Sequence, residues 1–285
     1  MSNLEEQKFL ELYSDSEYEK PSVTVDAVVL RLFDEVSTNY RKLPEKKLQV
    51  FLTKRNYSPY INTYSIVGTF INLDYELAES MKKCVHKKVG LENYYYEQLF
   101  TFGEKSRDPR TRVLSVSYML LTNSNAKIEN GEWFDIDIKE NIISKEQTQN
   151  GYYIKKQISI TLSNSDTKLE NTLTLCLSKH NLDECKEFNI DTTTLAFDHI
   201  KMIYFALERL KNKLEYTDII FSLLPKEFTL TELKNSYEVI LGEKLLDANF
   251  RRKTAKYVSP TNQYVTGKGH RSSRLYVHKP LSFEK

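Results

Sequence analysis

Two periodicities of hydrophobic residues divide the chain near residue 190. Before that point, β-branched and apolar residues form short runs or alternate with polar residues, which is typical of strands. The exceptions are a helical pattern within 1–20 and a second one at 76–88, which ends just before Gly90. The predicted strands are 23–32, 48–54, 99–102, 112–121, a short extended piece at 132–138, and a hairpin within 152–178. A charged loop is expected at 33–47.

A longer helical pattern occupies residues 195–214. It spaces Ile200, Ile203, Leu207, Leu210 and Leu214 three or four residues apart, so that they form one apolar stripe. Such a stripe either packs on its own domain or forms the seam of a dimer. The first interpretation is favoured because most stripes of this kind belong to a core.

The last part of the chain predicts three short helices followed by a β-hairpin. The helices are expected at 217–224, 229–241 and 247–257, with Pro225 and Gly242 between them, and the hairpin at 264–277. This order is the plan of a winged helix-turn-helix. The fold class is therefore α+β, with four predicted parts. These are an N-terminal helix (1–20), an α/β/α sandwich domain (21–191), a connecting helix (195–214) and a winged helix-turn-helix (215–285).

The composition excludes several classes of protein. Hydrophobic residues make up 40% and charged residues 28% of the chain, as in an ordinary globular protein. No apolar run approaches the roughly 20 residues of a membrane span, and the first residues lack a signal-peptide pattern. Three cysteines without metal-like spacing are typical of a reducing compartment. We expect a cytoplasmic protein without a membrane partner, a metal or a cofactor.

Charge is concentrated at the C-terminal end. Residues 247–279 contain eight basic residues and one acidic residue, a net charge of +7 within a chain of net +2. The predicted third helix carries much of it, and such a helix enters the major groove in winged proteins. Asp247 is its expected N-cap. The candidate DNA-binding residues are Asn249, Arg251, Arg252, Lys253 and Lys256 on the helix, and His270, Arg271 and Arg274 on the wing. The alternative is a solvated basic surface that binds nothing.

Residues 68–91 read GTFINLDYELAESMKKCVHKKVGL. This segment resembles a Nudix box, in which a helix carries R-E-U-x-E-E (U apolar) before a glycine and an apolar residue. Counted back from Gly90, the three acidic positions hold Cys84, Lys87 and Lys88. Ammonium groups repel a divalent cation rather than ligate it, so we expect no catalytic residue and no metal ligand here. Lys87 and Lys88 either touch a ligand phosphate or form a solvated helix face.

Over most of its length the chain resembles the Nudix-related transcriptional regulators of the NrtR type. The resemblance is carried by EKPSVTVDAVVL, EQLFTFGEKSRDPRTRVLSVSY, LAFDHIKMIYFALERLKNKLEY and LLPKEFTLTELKNSYEVILGEKLLDANFRRK. It implies a homodimer, a double-stranded DNA operator and an ADP-ribose-like effector. It also implies that Arg107 and Arg110 of an RDPR loop, and Arg55 after the second strand, contact the nucleotide. Arginines suit bidentate phosphate recognition, although the loop is equally consistent with a turn held by Asp108 and Pro109.

We therefore predict a DNA-binding regulator that senses a nucleotide through a degenerate Nudix domain. An alternative is a residual metal-dependent hydrolase of ADP-ribose or a related nucleotide, with Asp74, Glu76 and Glu79 as metal ligands. A third possibility is an interaction scaffold that binds no small ligand.

Overall fold

A ten-stranded mixed sheet runs through the molecule. The computed structural model describes residues 3–14, 16–35, 44–124, 131–180, 183–265 and 272–279. The strands of the sheet are β1 (Ser22–Glu35), β2 (Glu45–Lys54), β3 (Tyr64–Ser65), β4 (Val67–Phe70), β5 (Tyr95–Phe102), β6 (Val113–Thr122), β7 (Glu132–Thr148), β8 (Gly151–Ser163), β9 (Lys168–His180) and β10 (Asp183–Thr192). Their order is β10-β9-β8-β7-β2-β1-β6-β5, with β3 paired to β2 and β4 to β1. Strands β1 and β6 are parallel.

Helices precede, interrupt and follow the strands of this sheet, and a smaller sheet follows it in the chain. The helices are α1 (Asn3–Leu12), α2 (Leu77–Val89), α3 (His199–Tyr216), α4 (Leu230–Leu241) and α5 (Asp247–Thr254), with 3-10 turns at Ile219–Leu223 and Ala255–Tyr257. The smaller sheet contains β11 (Glu227–Thr229), β12 (Val258–Val265) and β13 (Ser273–His278) in the order β11-β13-β12. No helix within the described ranges is long and apolar enough to cross a membrane.

The central strand β1 is buried on both faces. Val25, Ala27 and Val29 point into one apolar cluster, which contains residues of α2. Val28 and Leu30 alternate with them and point into a second cluster, which contains residues of α3. A strand covered on both faces needs the continuous apolar run that VTVDAVVLRL supplies. The predicted α/β/α sandwich is confirmed.

Helix α3 forms the second outer layer of the sandwich. All five residues of the predicted stripe, from Ile200 to Leu214, are at most 2% exposed. They pack in the cluster that contains the sheet residues Leu30 and Phe134. The stripe therefore belongs to the core of this chain. The helix begins at His199, later than the predicted 195, because Leu195 bridges to Tyr64 in extended conformation.

The winged helix shares a core with the sandwich. Leu223, Phe228, Leu233 and Tyr237 lie in the same apolar cluster as α3 and the sheet. A hydrogen bond from Asn123 Nδ2 to the carbonyl oxygen of Leu224, 2.7 Å long, joins the end of β6 to this region. The two parts are thus packed layers rather than modules on a free linker.

The hairpin within 152–178 is confirmed as β8 and β9, but its neighbours differ from the prediction. Strand β7 extends to Thr148 instead of ending near 138, and β10 follows β9 at the sheet edge. Most residues in the distal part of β7 are exposed, so burial imposes no alternation that a sequence could display. The charged loop at 33–47 is also shorter than predicted, because β1 runs to Glu35 and β2 begins at Glu45.

Within the winged helix-turn-helix, the second helix was predicted correctly from local sequence signals, and the first was predicted less accurately. Thr229 and Glu232 form a capping box at the start of α4, and Gly242 ends it with φ 75°. The predicted helix at 217–224 is a 3-10 turn of five residues. Strand β12 starts at Val258, earlier than the predicted 264.

The shared core predicts that damage in the winged helix will destabilise the sandwich. Leu233→Ala leaves a cavity in α4 and should lower the free energy of unfolding by about 2–5 kcal/mol. Trp133 is the sole tryptophan and lies on β7, so its fluorescence in a urea titration follows the sandwich. We expect the midpoint of the Trp133 fluorescence transition to shift to a lower urea concentration, together with the midpoint measured by circular dichroism. Leu246→Ala, at an exposed position, is the control. An unshifted Trp133 transition in Leu233→Ala would contradict a shared core.

Candidate functional site

A cavity of about 750 Å³ opens between β1, the β2–β3 connection, the turn into β4, the end of α2 and the start of α3. All five predicted ligand-binding residues line it: Arg55, Lys87, Lys88, Arg107 and Arg110. The elements that supply them are distant in sequence, and the sandwich brings them together. Of the two interpretations of Lys87 and Lys88, the structure thus favours residues that face the cavity.

Lys88 lies on the inner side of the box helix. Helix α2 buries Met81, Cys84 and Val85 against the sheet, and Lys88 follows Cys84 by four residues, so that both share a face. Its Nζ donates a hydrogen bond to the carbonyl oxygen of Gly68. Burial raises the pKa of the Cys84 thiol, and the charges of Lys88, Asp26 and Lys87 also act on it. These charged groups therefore surround the buried thiol.

Gly68 allows the Asp26 side chain to lie close to the backbone of β4. It stands opposite Asp26 in the antiparallel pairing of β1 and β4. A Cβ atom at Gly68 would lie 1.8 Å from Asp26 Oδ1, so no other residue fits without movement. The Asp26 carboxylate accepts hydrogen bonds from Thr24 Oγ1 at 2.9 Å and from Ser115 Oγ. An ammonium group thus stands beside a backbone carbonyl and near a buried carboxylate, oxygen groups that a metal cation would otherwise prefer.

The acidic residues of the hydrolase alternative lie outside this cavity. Asp74, Glu76 and Glu79 are absent from its lining, and Glu79 pairs with Lys83 at 3.0 Å. Across the described ranges, no group of three His, Cys, Asp or Glu residues could hold a metal ion. The divalent cation that a Nudix box implies therefore does not fit the residues that line this cavity.

The RDPR loop uses its arginines in two ways. The Arg107 guanidinium donates to both oxygens of Asp198, at 2.7 and 2.9 Å, and both side chains are buried. Arg110 donates to Asp108 at 2.7 and 3.0 Å but remains 39% exposed. Burial raises the pKa of Asp108, yet the hydrogen bonds from Arg110 outweigh burial and lower it overall. Arg107 therefore ties the loop to the start of α3, and Arg110 stays accessible to a ligand.

Aromatic rings surround Arg55 and Arg110. The Arg55 Cζ atom lies 4.5 Å from the ring centre of Tyr57 and 4.9 Å from that of Phe197. The Arg110 Cζ atom lies 5.3 Å from Phe70 and 5.7 Å from Phe197. Tyr57 and Phe70 are exposed, so flat apolar surface is available at the mouth of the cavity.

Sequence reasoning missed several residues of the lining. Asp26, Phe197 and His199 were not among the candidates, although all three line the cavity. Phe197 and His199 stand in the segment LAFDHIKMIY, which carries the family resemblance. Asp26 stands in VTVDAVVL, another segment that carries this resemblance. The resemblance was the available signal, because a strand residue and a helix-start residue show no common spacing.

The lining favours an anion. Six basic side chains face three acidic ones, and two of the basic groups, Arg107 and Arg110, are already paired with Asp198 and Asp108. The basic residues are Lys54, Arg55, Lys87, Lys88, Arg107 and Arg110; the acidic residues are Asp26, Asp108 and Glu132. A concave site of this charge and with aromatic walls suits a phosphorylated, ring-containing ligand.

A second candidate surface lies on α5. Phe250 and Tyr257 are buried and anchor this segment in the winged helix. The candidate residues Asn249, Arg251, Arg252, Lys253 and Lys256 are all exposed. Arg274 is also exposed, and its Nε donates to the carbonyl oxygen of Thr261 at 2.7 Å. His270 and Arg271 lie outside the described residues.

The predicted cap of α5 is wrong. Leu246 occupies the N-cap position, and Asp247 is the first helical residue. The Asp247 carboxylate pairs with Lys234 of α4 instead of capping the helix. This ion pair joins the second and third helices of the winged helix-turn-helix. An acidic residue in the first turn of α5 also complements the dipole of that helix.

Comparison with known proteins finds similarity in both parts of the chain. The family of NrtR DNA-binding winged helix domains matches residues 220–277. A MutT/nudix family protein from Enterococcus faecalis has a similar structure, with a TM-score of 0.66 and 24% identity over 98% of this chain and 94% of that one. The chain is thus similar to Nudix plus winged-helix proteins of the NrtR type.

Two further proteins are similar to this chain over most of its length. The "ADPR responsive transcriptional repressor NtrR" of Acinetobacter baylyi is 29% identical over 277 residues, 95% of this chain and 87% of that protein. NrtR of Shewanella oneidensis, crystallised with a 27mer DNA, matches with a TM-score of 0.61 and 24% identity over 90% of this chain and 94% of that one. The second likeness shows the shared fold.

Proposed function

We propose that this NrtR-type chain is a DNA-binding transcriptional regulator that senses an ADP-ribose-like nucleotide in its Nudix cavity. The observation that carries the proposal is the pairing, in one packed molecule, of a cavity with a cationic lining and an exposed basic helix. The proposal includes a cytoplasmic homodimer, since a two-fold arrangement would present two winged helices to an operator.

The cavity suits a nucleotide in size and chemistry. Its volume of about 750 Å³ lies in the range of ordinary small-molecule sites. Lys87, Lys88 and Arg110 supply cations for phosphate oxygens, and Tyr57 and Phe70 supply faces for a base. The effector is proposed as ADP-ribose-like because the A. baylyi relative is described as responsive to ADPR.

The exposed side of α5 suits the DNA major groove. Asn249, Arg251 and Arg252 can donate hydrogen bonds to base edges, and Lys253 and Lys256 can pair with phosphates. The S. oneidensis NrtR crystallised with DNA has the same overall fold. The support comes from the basic helix and not from the net charge of the whole chain, because the rest of the chain is acidic.

We further propose that the Nudix part binds the nucleotide without hydrolysing its pyrophosphate. Lys88 stands at the Gly68 carbonyl as a built-in cation, and the acids Asp74, Glu76 and Glu79 do not line the cavity. Without a metal to activate water, a bound pyrophosphate would be held by charge alone. The proposed role of the box is thus recognition.

The DNA proposal predicts a selective effect of two arginines. A duplex is first selected from a random pool by the wild-type protein, and affinities for it and for a random duplex are measured by fluorescence anisotropy. Arg251→Ala combined with Arg252→Ala should abolish the preference for the selected duplex, because each bidentate base contact supplies about 1–3 kcal/mol of discrimination.

The matched control removes two positive charges elsewhere. Lys139 and Lys145 are exposed on β7, on the sandwich, and their double alanine variant has the same net charge as the arginine variant. This control should keep the preference. A retained preference in the Arg251 and Arg252 variant would sink the assignment of α5 as the recognition helix.

The built-in cation predicts nucleotide binding that is independent of divalent metal. Wild-type affinity for ADP-ribose, measured by calorimetry, should be the same with EDTA and with Mg²⁺. Lys87→Ala combined with Lys88→Ala should weaken binding at least about tenfold, because a hydrogen bond to a charged group contributes about 1.5–3 kcal/mol.

Two lysines of the same helix provide the control. Lys82 and Lys83 are exposed and do not line the cavity, so their double alanine variant should bind ADP-ribose normally. Loss of binding in EDTA, or release of AMP from ADP-ribose with Mg²⁺ or Mn²⁺, would instead support the hydrolase alternative.

A further inference from the structure

Two buried polar atoms in the cavity have no hydrogen-bond partner among the described residues. They are Nη2 of Arg55 and Nδ1 of His199, and both residues line the cavity. Arg55 is 9% exposed and His199 is 5% exposed. Buried polar groups are nearly always hydrogen-bonded in folded proteins, so an unpaired pair in one cavity points to a ligand that completes it.

Both side chains are held in place by the protein. Arg55 Nε donates to the carbonyl oxygen of Pro59 at 2.9 Å, which fixes one side of the guanidinium. His199 is the first residue of α3, directly after Asp198, which Arg107 clamps. The Phe197 ring lies 5.3 Å from the His199 ring and 4.9 Å from Arg55 Cζ. The two unpaired groups therefore flank the same aromatic ring in a rigid setting.

The surroundings of these groups favour a partner that both donates and accepts hydrogen bonds. Burial lowers the pKa of His199, so the imidazole is neutral at neutral pH, with one donor and one acceptor nitrogen. Arg55 only donates. The Asp26 carboxylate lies in the same lining and accepts from Thr24. A phosphate, which only accepts, would face Asp26 without a proton to offer, whereas a hydroxyl group satisfies each of these partners.

The other parts of a nucleotide have more suitable places. The cations Lys87 and Arg110 carry charge toward phosphate oxygens. The exposed rings of Tyr57 and Phe70 offer faces to a base at the mouth. The buried groups at Arg55 and His199 are thus left for a hydroxylated end of the ligand.

We infer that Arg55 and His199 bind the hydroxyl groups of a sugar attached beyond the diphosphate, and thereby select sugar-bearing nucleoside diphosphates over the diphosphates alone. The inference rests on the proposed nucleotide sensing and adds the residues that set its specificity.

The test is calorimetric titration of the full-length protein with ADP-ribose, ADP and AMP. The wild type should bind ADP-ribose about five- to tenfold more tightly than ADP, the effect of one or two buried hydrogen bonds. His199→Phe keeps a flat ring without polar atoms and should remove most of that preference, leaving the share of Arg55, while changing the ADP affinity less than about twofold. His199→Asn retains an amide donor and acceptor and should recover part of the preference. His86→Asn, at an exposed position of α2 outside the cavity, should behave as the wild type.

Each contrary outcome has a distinct meaning. Equal wild-type affinity for ADP-ribose and ADP would overturn the sugar assignment, and this comparison needs no variant to fold. An equal loss of ADP-ribose, ADP and AMP binding in His199→Phe would place the base or the phosphates at His199 and would also overturn it. If the wild type binds none of the three nucleotides, the proposed sensing function itself fails.

Discussion

Burial of helix α3 is the constraint on which both candidate sites depend. Its apolar stripe is covered by the sheet, and the same apolar cluster continues into the winged helix. The first turn of the helix closes the nucleotide cavity with His199, and the later turns support the elements that carry α5. A displacement of α3 would therefore disturb the lining of the cavity and the position of the basic helix α5 together, because closely packed interfaces do not deform continuously.

The buried Arg107–Asp198 pair connects ligand contacts to this helix. Arg107 belongs to the loop that also presents Arg110, and Asp198 immediately precedes α3. A second ion pair, Lys201 to Glu104 at 2.6 Å, ties the same loop to the first turn of α3. Removing one partner of a buried pair leaves an uncompensated charge, which strongly destabilises that arrangement. The loop, the helix and the cavity wall are thus expected to move as one body.

Local signals in the sequence predicted the helices and strands well, but contacts between residues far apart in the chain were predicted only in part. The capping box at Thr229 and Glu232, Gly242, and Gly90 mark helix ends by rules that involve a few neighbouring residues. The replacement of acidic box residues by Lys87 and Lys88 was likewise visible in the sequence. The direction in which those lysines point depends on which face of α2 is buried, and that face contains Met81 and Val85. Asp26 and His199 could not be paired in advance, because β1 and α3 meet only through tertiary packing. The extent of β7 was missed because exposed strand residues carry no hydrophobic alternation.

The central claim is that the nucleotide cavity and the basic helix are coupled through one core. The most direct test is a reciprocal measurement on the wild-type protein: affinity for a selected DNA duplex with and without saturating ADP-ribose, and affinity for ADP-ribose with and without that duplex. Linkage requires both affinities to change by the same factor, and we expect about 5- to 150-fold, the usual size of allosteric coupling. If both ligands bind and neither affects the other, the two sites are energetically independent and the account is wrong.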